Sequence, residues 1–115
     1  MIETTELLRY ARDAVLTGPD KWHQGGMQSP DGQRFCVMGA IEQAAVLTDL
    51  TWADAIPATR AVHETIVRRD PWWGVGIKCG AAKFNDDPST EFPDVISLLD
   101  ETIKTLEAPD RKDNK

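Results

Sequence analysis

The sequence predicts a mainly α-helical fold: a compact bundle of about four helices with one small β-hairpin, at the margin of α+β. Three observations carry this. Apolar residues recur at helical spacing near both ends of the chain, as Leu7, Leu8, Ala11 and Val15 and as Phe92, Val95, Ile96, Leu99, Ile103 and Leu106. Between them, Gly39, Ala40, Ala44 and Ala45 gather small residues that let a neighbouring helix approach closely. Finally, Ser29-Pro30-Asp31-Gly32 has turn chemistry at every place: Pro fixes φ, Asp bonds its own backbone and Gly takes positive φ.

The elements follow in order. The first helix is expected over residues 4–17, capped by Thr4 or Thr5, with Glu6 on the positive end of its dipole. Gly18-Pro19 ends it, the glycine supplying a left-handed cap. Residues 21–35 read as the hairpin, with Gly25-Gly26 marking a bulge or a close backbone approach. Residues 36–48 read as the central helix, burying Val37, Ile41, Ala44, Ala45 and Thr48. A short helical turn at 51–56, with Thr51 and Asp54 in a capping box, precedes a third helix from Pro57 to about Arg69. That helix buries Ala58, Ala61, Val62, Thr65 and Ile66. A short helix is favoured over 75–83, and the last helix starts after Asn85-Asp86-Asp87-Pro88, capped by Ser89 or Thr90. Residues 1–108 form one domain in this reading, and the charged, apolar-free tail 109–115 is disordered.

Composition narrows the function. The chain has 115 residues and a formal net charge of −6, so it does not suit general binding to nucleic-acid backbone or to an anionic membrane surface. No apolar run approaches the ~20 residues that span a bilayer. The N-terminus lacks a basic segment followed by an apolar one, and the two cysteines read as free thiols, so the chain is expected to be cytoplasmic.

The residues that could carry chemistry are few. Cys36 stands at an expected helix N-terminus, where a thiol pKa falls; His23 or His63 could serve as its base and Asn85 or Asp86 as the orienting group. A small buried cysteine packing the hairpin on the helix is the favoured reading, because no hydrolase signature surrounds it. Cys36, Cys79, His23 and His63 lack the close pairing of a structural zinc site, so no metal and no cofactor is expected. Asn85-Asp86-Asp87 has the residues of a helix cap and Asx-turn, with ligand contact as the alternative. Trp22, His23, Gln24 and Gly25 place polar groups and bare backbone beside an aromatic, which suits a small pocket. The adjacent Trp72 and Trp73 cannot easily both be buried, so one of them is a candidate contact residue.

Three short motifs resemble a known family. They are Trp22-His23-Gln24-Gly25, then Cys36-Val37-Met38-Gly39-Ala40-Ile41, then Phe84-Asn85-Asp86 leading into the final amphipathic helix. Together with the N-terminal helix they resemble an uncharacterised family of small proteins of actinobacteria and their phages, a domain of unknown function. Members often carry Trp where this chain has Phe84, and Pro-Gly-Arg where it has Asp87-Pro88-Ser89. The resemblance covers roughly Leu7 to Leu106 and implies an origin and a fold, with no established activity.

Three functional expectations result. The first is a non-enzymatic, phage-encoded interaction protein, monomer or homodimer, that binds a host protein through an aromatic patch containing Trp72 or Trp73. The second is a small-molecule or nucleotide-binding module at Trp22–Gly26. The third is a thiol-dependent hydrolase built on Cys36.

Overall fold

In the computed structural model, residues 4–26, 28–69 and 84–107 are described, Trp52 by its backbone alone. The chain forms helix α1 (Thr4–Tyr10), which runs on as a π-helical turn (Ala11–Val15), then a 3-10 turn (Pro19–Lys21). Helices α2 (Val37–Leu47), α3 (Trp52–Arg69) and α4 (Phe92–Glu107) follow, with one helical turn at 84–86 before α4. The mainly helical expectation holds. The expected helix over 75–83, Cys79, the Trp72-Trp73 pair and the tail 109–115 lie outside the described residues.

The core is the sum of the apolar stripes. Leu7, Leu8, Ala11, Val15 and Leu16 meet Val37, Ala40, Ile41, Ala44 and Ala45, with Ala55, Ala58, Val62 and Ile66 from α3 and Val95, Leu98, Leu99 and Ile103 from α4. Two helices pack against all the others: α1 contacts α2, α3 and α4, and α3 contacts α1, α2 and α4. The small-residue helix α2 packs on α1, its π-helical turn and α3. Two leucines side by side, Leu7 and Leu8, let one short helix serve two neighbours; the alanines of α2 give room for that approach. A buried polar contact joins α3 and α4: the Thr65 and Thr102 hydroxyl oxygens lie 3.0 Å apart.

Four sequence expectations are corrected. The hairpin does not form: among the described residues there is no strand, only isolated bridges from Phe35 to Trp22 (parallel) and to Gln28 (antiparallel). The turn itself is made, with the Gly32 N–H donating to the Ser29 carbonyl at 2.9 Å, Ser29 N–H donating to Arg34 at 2.8 Å, and Gly32 at φ 73°. Around Phe35 the pairing is limited to the Phe35 N–H donating to the Lys21 carbonyl and the His23 N–H donating to the Phe35 carbonyl, while the Trp22 and Gln24 side chains and the Gly25 N–H turn to Asn85, Asp86 and Asp87. Second, Gly18 is extended at φ −173°, and the first helix instead ends when the Leu16 N–H bonds the Ala11 carbonyl at 2.9 Å. Third, Thr4 and Thr5 already lie inside α1.

Fourth, residues 51–69 do not break at Pro57; α3 runs through it. Proline inside a helix costs ~3 kcal/mol through its missing N–H and its ring. The continuous burial of Ala55, Ala58, Ala61, Val62, Thr65 and Ile66 along one face offsets that cost. The Thr51–Asp54 capping box does form: Thr51 N–H donates to Asp54 Oδ2 at 2.8 Å, and Asp54 N–H to Thr51 Oγ1 at 3.3 Å. Thr48, expected on the buried face of α2, is half-buried and caps the helix, its hydroxyl 2.8 Å from the Ala44 carbonyl. Asp49 follows at φ 64°, and Leu50 N–H bonds the Ala45 carbonyl at 2.7 Å, a Schellman closure of α2. Helix α4 opens on a further local cap, with Glu91 N–H donating to Asp94 Oδ2 at 2.8 Å.

Candidate functional site

The three motif segments meet around one side chain. Asn85 is fully buried, and each of its polar atoms is used. Its Oδ1 accepts the Trp22 indole N–H at 2.7 Å and the Val37 backbone N–H at 3.0 Å. Its Nδ2 donates to the His23 carbonyl at 2.9 Å and to Asp86 Oδ1 at 3.1 Å. The Gln24 side chain donates to the carbonyls of Asn85 and Asp87 at 2.9 and 3.0 Å, and Gly25 N–H donates to Asp86 Oδ1 at 2.9 Å. Trp22 also tilts against Phe92 at the start of α4, with ring centroids 6.4 Å apart.

Each piece has a local reason. Val37 is the first residue of α2, so its N–H has no partner within the helix; Asn85 supplies one. Gly25 holds φ 95°, the conformation that turns its N–H toward Asp86 and that side chains disfavour. No heavy atom lies within 4 Å of where a Gly25 Cβ would sit, so conformation rather than space requires glycine there. Trp22, His23, Gln24, Gly25, Asn85 and Asp86, singled out from the sequence, are thus brought together, and the bonds they make are chiefly to one another.

Cys36 caps α2 as expected from its position. Its Sγ accepts the Gly39 N–H at 3.3 Å. The thiol is buried, and burial pushes its pKa above the ordinary value, with Asp86 and Glu42 adding to the rise and the Gly39 and Met38 N–H groups opposing it. An activated nucleophile needs the opposite shift. Among the described residues, no group of three or more His, Cys, Asp or Glu is placed to hold a metal ion.

His63 lies elsewhere. It lines a groove of about 420 Å³ between α2 and α3, with Met38, Glu42, Ala55, Ile56, Thr59 and Arg60. Sequence reading did not pick these residues out except for His63, because they flank the core stripes rather than form them. A signal was present: Met38, Glu42 and Val46 recur every four residues beside the buried stripe of α2, as Ile56, Arg60 and His63 do at three and four on α3. Val46 is 66% exposed and Ile56 38%, two of the few large apolar side chains that face solvent among the described residues.

No helix among the described residues is long and apolar enough to cross a membrane. Comparison with known proteins finds no curated protein and no solved structure that matches the chain. The profile of a family of unknown function, DUF6197, matches residues 1–105. A match over nearly the whole chain places the protein in that family: the chain belongs to the DUF6197 family.

Proposed function

We propose that the protein is a non-enzymatic interaction protein, phage-encoded and acting in the actinobacterial cytoplasm, that binds a protein of the host cell. The observation that carries this reading is the exposure of Ile56 in the α2–α3 groove, with Val46 exposed one turn beyond Glu42 on α2. An exposed aliphatic side chain at a concavity suits a partner's apolar anchor, which gains most where it enters a pocket ringed by polar residues. The aromatic pair Trp72-Trp73, the anchor expected from the sequence, lies outside the described residues.

The motif cluster supports the same reading in another way. The polar groups of Asn85, the Trp22 indole and the Gln24 amide nitrogen are spent internally, as befits a brace that fixes the start of α2 and the entry to α4. An activated thiol needs a lowered pKa, the reverse of what burial gives Cys36, and a ligand would have to displace bonds already made. The thiol-hydrolase and Trp22–Gly26 pocket readings therefore rank below interaction.

The test is capture of partners on the immobilised chain, followed by calorimetry with the purified partner. Ile56 is already partly solvated, so Ile56→Asp should leave the circular dichroism spectrum unchanged. The variant should bind the partner at least about tenfold more weakly, as for loss of an interface anchor. Equal affinity would remove this surface from the interface. A turnover activity abolished by Cys36→Ala in a folded variant would replace the reading with the thiol enzyme.

A further inference from the structure

We propose that the α2–α3 face receives an amphipathic helix of the partner, seated with a basic flank against Glu42 and an acidic flank against Arg60. This rests on the reading of that face as the docking surface. The two helices are joined by residues 48–51 and run antiparallel, since Met38 near the start of α2 and His63 late in α3 line the same groove. One wall therefore reads Met38 and Glu42, with Val46 exposed one turn further along α2, and the other reads Ile56, Arg60 and His63. Ile56 to His63 spans about 10 Å of the α3 wall, so an occupant lying along it meets two turns and offers apolar side chains at i and i+4. Met38 adds an adaptable thioether to the floor, able to conform to differing anchors.

The charges decide the chemistry of the occupant. Glu42 lies on the α2 wall and Arg60 on the α3 wall, and neither takes part in an ion pair among the described residues. A chain of net charge −6 repels acidic partners in general, so the exception at Arg60 carries local selectivity. A helix between the walls meets one sign on each flank. A helix with flanks of a single sign matches one wall and opposes the other, whichever way it lies. A helix with mixed flanks matches both in one direction only, so the pair also sets its polarity.

The experiment uses the full chain and three synthetic, end-blocked helical peptides sharing two leucines at i and i+4. One has a lysine flank and a glutamate flank, one has glutamate on both and one has lysine on both. Binding is read from the Met38 and Ile56 methyl resonances. The mixed peptide should bind at least about tenfold more tightly than either single-sign peptide. Arg60→Glu, which makes both walls acidic, should transfer the preference to the all-lysine peptide. Equal binding of all three, or no change of preference in Arg60→Glu, overturns the charge pattern. If Ile56→Asp still abolishes partner binding in that case, the docking surface survives and only this inference fails. Absence of any methyl shift overturns it as well. So do contacts from Trp72 or Trp73 to these methyls, which would mean that the chain fills its own groove. A dimer in sedimentation that Ile56→Asp dissociates would assign the face to a second copy and likewise overturn it.

Discussion

The indole N–H of Trp22 donates to Oδ1 of buried Asn85 at 2.7 Å, tying residues 63 apart in sequence. The same oxygen holds the first N–H of α2, so one side-chain amide joins the 22–25 segment, the start of α2 and the approach to α4. Asn85→Ala would leave the Trp22 and Val37 donors and the His23 acceptor buried without partners. Each such group costs about 1–3 kcal/mol, so a loss of about 3 kcal/mol or more is expected from urea unfolding. Trp22→Phe keeps the ring against Phe92 and removes only one donor, and should cost clearly less. Equal losses would mean that packing of Trp22, not the bond, holds the cluster.

Gly25 supplies a second, independent test of the brace. At φ 95° with open space around its missing Cβ, Gly25→Ala meets a conformational penalty alone, about 1–2 kcal/mol. Gly25→Asn should lose less, since asparagine tolerates positive φ better than alanine. Chemical denaturation of the three forms gives the order Gly, Asn, Ala.

Asp49 offers the reverse case. It closes α2 at φ 64°, where glycine is the preferred residue. Asp49→Gly is expected to stabilise the protein by about 0.5–1 kcal/mol, visible as a higher urea midpoint at unchanged slope. A lower midpoint would show that the Asp49 side chain contributes more than its backbone strain removes.

Cys36 should behave as a structural thiol. In the native protein its peptide should be alkylated slowly by iodoacetamide at neutral pH, and rapidly once the chain is unfolded. Peptide mapping separates it from Cys79. Cys36→Ser, which keeps a capping acceptor, should retain more stability than Cys36→Ala, which forfeits a cap worth about 1 kcal/mol. Fast native alkylation would reverse the assignment.

Acid sensitivity should reside in local caps. The Thr51 backbone N–H and hydroxyl hold Asp54 below the usual carboxylate range, as the Ser29 hydroxyl and Gln33 N–H do for Asp31 and the Ser89 hydroxyl and N–H do for Asp87. For a carboxylate whose folded pKa is depressed, the stabilisation is present above the unfolded value of about 3.9 and is lost as pH falls through the folded value. Unfolding midpoints measured from pH 5 down to pH 2 should therefore fall, and Asp54→Asn should make that fall shallower. An identical slope in the variant would exclude Asp54 from the effect.

The sequence by itself determined the helices and most of the core. Leu7, Val62, Leu99 and Ile103 announce their burial through spacing, because a helix repeats every 3.6 residues and must hide one face. It determined the Ser29–Gly32 turn and the Thr51–Asp54 cap, whose donors and acceptors lie within three residues. It also picked out Trp22, Gln24, Asn85 and Asp86, though not that they bond to one another. Tertiary structure alone decided that the Trp22 and Gln24 side chains and the Gly25 N–H turn to Asn85, Asp86 and Asp87, while pairing with Phe35 stays at isolated bridges. Hydrogen bonds across some sixty residues leave no periodic trace in the chain. It decided that α3 passes through Pro57, since burial along the whole face outweighs one local penalty. And it decided the groove: Met38, Glu42, Ile56 and Arg60 become neighbours only when α3 folds back along α2, because a concavity belongs to the space between helices and not to either one.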